Sequence, residues 1–208
     1  MHTLTQQRFS AEDRRHQILQ VATELFAGRG FEGTTTREIA RRAKVNEAII
    51  FRHFPTKDDL YWAVIEAKCQ SSAKKEFLSE ILEAGEPVRE TFVKLADTIL
   101  RRREKDQTLA RLLLYSALEN HRLSQRFFQS YVADYYEILG DYIQKRINDE
   151  EFRPVDPQLA ARGFLGMIVY HSLIQDLFGG NKFQTYDLRE VAESMADIWL
   201  QGMLIRKS

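Results

Sequence analysis

The chain has 208 residues and carries 30 Lys/Arg against 30 Asp/Glu, so its formal net charge is zero and charge alone does not mark it as a polyanion binder. That length allows one or two domains with a sizeable core. The single cysteine excludes an intrachain disulfide, no stretch approaches the ~18 apolar residues of a membrane span, and the first residues lack an apolar signal core; a cytoplasmic protein without membrane contact is expected.

Ser10 and Asp13 have capping-box spacing, and Ile18, Val21, Ala22, Leu25 and Phe26 then recur at helical intervals. Gly28 and Gly30 end this helix, and Phe31 can fold back onto it. Thr35 with Glu38 opens a short second helix whose Ile39, Ala40 and Ala43 share a face. Val45 falls in a tight turn, and Asn46 caps a third helix on which Ile50 and Phe54 lie four apart. Pro55, Thr56 and Asp59 mark the next start. Further helices are predicted over 57–83, 87–104, 107–120, 123–149, 157–178 and 187–205. The helix after Thr56, at ~1.5 Å per residue, would span about 40 Å and join the two parts of the chain. About nine helices and no strand pattern give an all-α fold.

Two short helices around a tight turn, over 35–54, form the unit that places a second helix in the DNA major groove. The same pattern also suits an ordinary helical hairpin in an all-α core. Residues 1–57 hold ten Lys/Arg and six Asp/Glu, a net +4 that leaves −4 on the remainder. A basic head on an acidic body suits one-ended attraction to phosphates.

Three segments carry a more specific signal: Ile18-Leu19 with Glu24 to Phe31, Thr34 to Ala40, and Phe51 to Lys57. Together they resemble the N-terminal domain of the TetR family of bacterial regulators. The resemblance implies a helix-turn-helix domain over 1–57, a ligand-binding and dimerisation domain over 58–208, and a homodimer that binds a palindromic double-stranded DNA operator. It also implies release by a small-molecule effector. By resemblance, Thr36, Arg37, His53 and Lys57 face the DNA backbone. The first residues of the second helix of the pair meet base edges in such a unit; here these are Glu47, Ala48 and Ile49, followed by Phe51 and Arg52.

The family's commonest version has Ser-Lys-Gly-Thr-Leu-Tyr over Asn46 to Phe51, and this chain departs from it. Glu47 stands in place of a cation and can accept from cytosine N4. Ala48 and Ile49 suit thymine methyls, although Ile49 also suits packing on the preceding helix. Phe51 lacks the hydroxyl of the usual Tyr. Lys44 stands where many members carry a turn glycine. In a left-handed backbone it costs roughly 1–2 kcal/mol while adding a cation near DNA.

The body from Phe92 to Trp199 is rich in large apolar groups, which suit either a solid core or a cavity wall. Phe92, Leu95, Ile99, Leu113, Tyr131, Tyr135, Met167 and His171 are the expected ligand contacts, and the effector is expected to be apolar or aromatic. His171 also reads as a core histidine. The segment from Pro157 to Phe178 is apolar nearly all round and needs cover on both sides. Resemblance implies that it joins the last helix in a two-fold interface; Phe164, Ile168, Met195, Trp199 and Met203 are the residues expected there.

Enzymatic readings find little support. The histidines, at 2, 16, 53, 121 and 171, form neither Glu-x-x-His nor His-x-x-x-His. A Gly-rich phosphate loop and a Gly-x-Ser-x-Gly elbow are both missing. No catalytic residue, cofactor or metal is expected. Cys69 reads either as a small buried residue or as a redox sensor.

Overall fold

Side-chain caps set most of the helix starts. Ser10 and Asp13 form a reciprocal capping box (3.0 Å each way) that opens α1, Ala11–Arg29. Thr35 accepts from the Glu38 N–H at the head of α2, Thr36–Arg42. Asn46 accepts from the Ile49 N–H at 2.9 Å and opens α3, Glu47–His53. Thr56 and Asp59 repeat the capping box before α4, Lys57–Ser72. There follow α5 (Glu76–Glu83), α6 (Val88–Lys105), α7 (Thr108–Leu118), α8 (Arg122–Phe127), α9 (Ala133–Asn148), α10 (Pro157–Ser172) and α11 (Leu188–Met203). Single π-helical turns lie at Phe128–Val132 and Leu173–Leu177.

The structure, a computed structural model, describes residues 10–72, 76–105, 107–119 and 122–205. Among these the fold is all-α, with one isolated antiparallel bridge between Phe152 and Leu204. The helix expected over 57–83 appears as α4 and α5, and residues 73–75 between them lie outside the described set. No described helix is long and apolar enough to cross a membrane.

Two compact units form. One comprises the chain through Gln70 together with Thr108–Ser124, and the other comprises Ser71–Gln107 and Gln125–Ser208. The first unit therefore takes in most of α4 and all of α7 besides the first 57 residues. Its core joins Ile18, Ala22 and Phe26 of α1, Ile39 of α2, Ile50 of α3, and Leu60, Tyr61, Val64 and Ile65 of α4. The Tyr61 ring meets Phe26 edge-on at 4.8 Å and Phe31 at 5.3 Å, so Phe31 does fold back onto α1. Cys69 is buried in α4, and burial pushes its thiol up to about 12. A thiol so protonated is a poor nucleophile, which favours the packing role over redox sensing.

The second unit is built around Phe92 of α6. Trp199 stacks on it at 4.5 Å, Phe164 meets it edge-on at 4.8 Å, and Tyr142 and Phe152 complete the cluster. The Trp199 indole N–H donates to the Ala160 carbonyl at 3.2 Å, tying α11 to α10. Arg89 of α6 reaches Asp197 of α11 through two hydrogen bonds of 2.7 and 2.9 Å.

The five residues expected at a two-fold interface lie in or against this core. Phe164 and Ile168 are fully buried, and Trp199 and Met203 are nearly so, while Met195 packs against the same core. All five are thus used within their own chain. Trp199→Ala should cost about 3–5 kcal/mol, as large-to-small changes in aromatic cores do, measured by urea unfolding. Alkylation of Cys69 in the native protein at pH 8 should be at least tenfold slower than in denatured protein.

Candidate nucleic-acid interface and ligand cleft

The turn between α2 and α3 is a Schellman motif. The Val45 N–H donates to the Ala40 carbonyl at 3.0 Å and the Lys44 N–H to Arg41 at 3.3 Å. Such a turn needs one left-handed residue, usually glycine; here it is Lys44, with φ of +52°. The turn holds α3 against α2 through Ile39, Ala40, Ala43 and Ile50, all buried.

What remains outward is the candidate interface. Arg37, Lys44, Ala48, Phe51 and Arg52 are exposed; Thr36, Glu47, Ile49, His53 and Lys57 are half-buried. Arg37, Arg42, Lys44 and Arg52 make no ion pair among the described residues, so all four charges are available to phosphates. Glu38 is engaged elsewhere. Its carboxylate accepts from Arg29 at 2.8 and 3.0 Å, so it does not complete the capping box with Thr35.

Two of the expected DNA contacts are hydrogen-bonded to each other. The Thr36 hydroxyl donates to the Glu47 carboxylate. This turns the one acidic group of α3 towards α2 and occupies the hydroxyl expected to meet a phosphate. Lys57 is also drawn inward. Its ammonium lies 4.0 Å above the Phe31 ring, and burial lowers its pKa, opposed by Glu32 and Glu119.

The first unit has a further set of residues that local pattern does not reveal. Arg111 of α7 donates to the Ala27 carbonyl at 3.2 Å, and the Tyr115 hydroxyl to Gly28 at 3.3 Å. Glu119, just past α7, accepts from the Phe31 N–H at 3.0 Å. Tyr61 of α4 donates to the Leu112 carbonyl at 2.7 Å. These side chains reach across more than fifty positions of sequence, so no helical periodicity signals them.

In the second unit, a cleft of about 420 Å³ is lined by Leu100, Glu104 and Gln107, by His171, Ser172, Gln175 and Asp176 around the end of α10, and by the connection to α11. Of the expected ligand residues only His171 lines it. Phe92 and Leu95 are fully buried in the core, while Ile99, Tyr135 and Met167 pack against that core. Tyr131 stacks on Phe127 at 5.4 Å, and Leu113 belongs to the first unit. The lining is mostly polar, where an apolar wall was expected. No group of three or more His, Cys, Asp or Glu among the described residues is placed to hold a metal.

Lys44→Gly tests the turn. It should raise stability by up to about 1 kcal/mol by removing the left-handed penalty, read from the midpoint of chemical denaturation. It should also lower the salt slope of duplex binding by about 0.9.

Comparison with known proteins agrees with this architecture. Residues 18–64 match the family model described as bacterial regulatory proteins, tetR family, and residues 90–202 match the C-terminal domain of AefR-like transcriptional repressors. Over 49 residues the chain is 57% identical to an HTH-type transcriptional repressor of Mycobacterium tuberculosis, covering 24% of this chain and 26% of that one. The chain thus spans about a quarter of the length of this relative. The nucleoid occlusion factor SlmA of Aliivibrio fischeri is 26% identical over 159 residues, covering 75% of this chain and 80% of the other. Among solved structures, NalD of Pseudomonas aeruginosa, the secondary repressor of the MexAB-OprM multidrug efflux pump, shares the fold with a TM-score of 0.71, at 22% identity and 93% and 97% coverage. FadR of Bacillus subtilis, in complex with stearoyl-CoA, does so with a TM-score of 0.68, at 20% identity and 90% and 98% coverage. With one model matched on the helix-turn-helix and another across most of the remaining helices, the chain belongs to the TetR family of bacterial transcriptional regulators.

Proposed function

We propose that the chain is a ligand-responsive repressor that binds a palindromic operator as a homodimer. The observation that carries this reading is α3 itself. It is clamped on α2 by buried Ile50, and it presents Ala48, Phe51 and Arg52 beside unpaired Arg37, Arg42 and Lys44. Cations on the flanks supply affinity through phosphates, and the apolar face of α3 supplies selectivity through thymine methyls and groove shape. Glu47, held by Thr36, adds little repulsion in this arrangement. Arg37, Lys44, Ala48, Ile49, Phe51, Arg52 and His53 form the proposed contact surface, with Thr36, Glu47 and Lys57 supporting it.

A palindrome calls for two copies, and the second unit offers a face for that. On α10, Leu159 is 67% exposed and Tyr170 65%, with Val169, Gly163 and Gly166 on the same side. On α11, Ile198 is 64% exposed, in line with Ser194 and Gly202. A Cβ added at Gly166 or Gly202 would meet nothing, so both backbones stand open to close approach. Apolar groups around small residues on adjacent helices suit an isologous dimer.

Operator half-sites about 34–36 Å apart would then be read by two α3 helices. Release requires an effector that binds the non-fitting state more tightly. The hydrogen bonds from α7 to the end of α1 give that state a handle on the head, because α7 cannot shift without moving Ala27, Gly28 or Phe31.

Selection from random duplexes should recover a palindrome, and binding to it should weaken steeply with salt, log K falling by about 0.9 per phosphate neutralised. Absent or salt-insensitive binding to every duplex would overturn the reading. Ile198→Glu should give a folded monomer in sedimentation and weaken operator binding by ~10²-fold or more through lost bivalency. An intact dimer would move the interface elsewhere.

A further inference from the structure

The cleft of the second unit has a chemistry that the family does not prescribe. It lies between the C-terminal end of α6 and the segment that joins α10 to α11. Its volume of about 420 Å³ falls in the range of small-molecule sites, roughly 300–1,000 Å³. Six polar side chains point to it from three directions: Glu104 and Gln107, then Gln175 and Asp176, then Asn181 and Thr185. None of the six forms a side-chain hydrogen bond among the described residues. Glu104, Asn181 and Thr185 are exposed and Gln107, Gln175 and Asp176 are half-buried, so a guest in the cleft can reach all six.

The backbone around the cleft is shaped for it. Gln175 and Asp176 sit on the π-helical turn Leu173–Leu177, which interrupts the regular register after α10. Such turns recur at functional sites. Gly179 is left-handed, with φ of +75°, and Gly180 lies so close to the turn that a Cβ would stand 2.9 Å from the Ile174 carbonyl oxygen. The connection is thereby folded back, with Asn181, Thr185 and Tyr186 along its rim. Tyr186 and His171 meet edge to face at 5.8 Å and offer ring surface beside Leu100 and Leu188.

Charge selects the guest. Among the described residues two carboxylates line the cleft and no Lys or Arg does. Burial raises the Asp176 pKa, and Arg103, which does not line the cleft, acts against that shift. Burial lowers the His171 pKa and favours its neutral form, a donor–acceptor that adds no positive charge.

We propose that this cleft is the effector site and that it takes a small organic amine in its protonated form. Glu104 and Asp176 accept from the ammonium, the amides and Thr185 orient the remaining polar atoms, and the Tyr186 and His171 rings cover a flat or apolar part. The regulatory consequence rests on the repressor reading, but the binding itself does not. Gln107 immediately precedes α7 in sequence, the helix bonded to the end of α1, so occupancy of the cleft acts on the chain segment that leads into it.

Calorimetry on the full chain, without DNA, tests the site with three probes of one shape: benzylamine, benzyl alcohol and benzoate at fixed ionic strength. Benzylamine should bind at one per chain, at least tenfold tighter than either of the others. Glu104→Gln and Asp176→Asn, each checked for native circular dichroism, should each weaken it tenfold or more. No benzylamine binding at millimolar concentration, equal binding of benzoate or benzyl alcohol, or unchanged affinity in both variants would overturn the proposal. Duplex binding is measured separately, so failure of the repressor reading appears there and not in the calorimetry.

Discussion

A helix that ends inside a protein leaves its last carbonyl groups without intrahelical partners, and the way α1 meets this constraint organises the first unit. The Thr34 hydroxyl, fully buried, shares its one proton between the Gly30 carbonyl at 2.9 Å and the Leu25 carbonyl at 3.3 Å. Arg111 and Tyr115 of α7 supply donors for Ala27 and Gly28. The next N–H group, at Phe31, turns the other way and finds Glu119. A glycine is required at position 30, because φ is +74° and a Cβ would strike the Tyr115 ring at 2.9 Å. A helix from the middle of the chain is therefore part of the same compact unit as the DNA-reading pair.

The reading pair illustrates a second balance. Seven-residue helices such as α2 and α3 are too short to persist alone. They persist because Ile39, Ala40, Ala43 and Ile50 are buried between them and because caps and the Schellman turn satisfy their ends. The turn is achieved with lysine, at a local conformational cost, and leaves a cation exposed beside α3. The pairing of Thr36 with Glu47 works in the same direction: it removes a donor from the surface, yet it also holds an anion away from a polyanionic partner. The outcome is an exposed face of Ala48, Phe51 and Arg52 beside Arg37, Arg42 and Lys44.

In the second unit, α10 shows how one helix serves two surroundings. Its inward side gives Ala161, Phe164, Leu165 and Ile168 to the Phe92 cluster, while Leu159, Val169 and Tyr170 stay outside. Its regular register then breaks at the π turn, and the polar residues that follow line a cleft in place of a core. Of the aromatic residues that suggested a ligand wall, Phe92 lies in the core and Tyr135 packs against it, because rings of that size pack most favourably when water is excluded.

The sequence by itself determined the helix starts at Ser10, Thr35, Asn46 and Thr56, the all-α class and the α2–α3 pair. Each rests on interactions within three or four residues, which caps, turns and apolar spacing record directly. Only the tertiary structure decided which side of each helix was used. Ile198 and Trp199 are neighbours, yet about 100° of helical rotation separates them, and the core took Trp199 while Ile198 stayed outside. The same holds for Glu119, Arg111 and the cleft residues. Their partners lie tens of positions away, where no periodicity in the chain reports distance, so their roles are set by packing that local pattern does not encode.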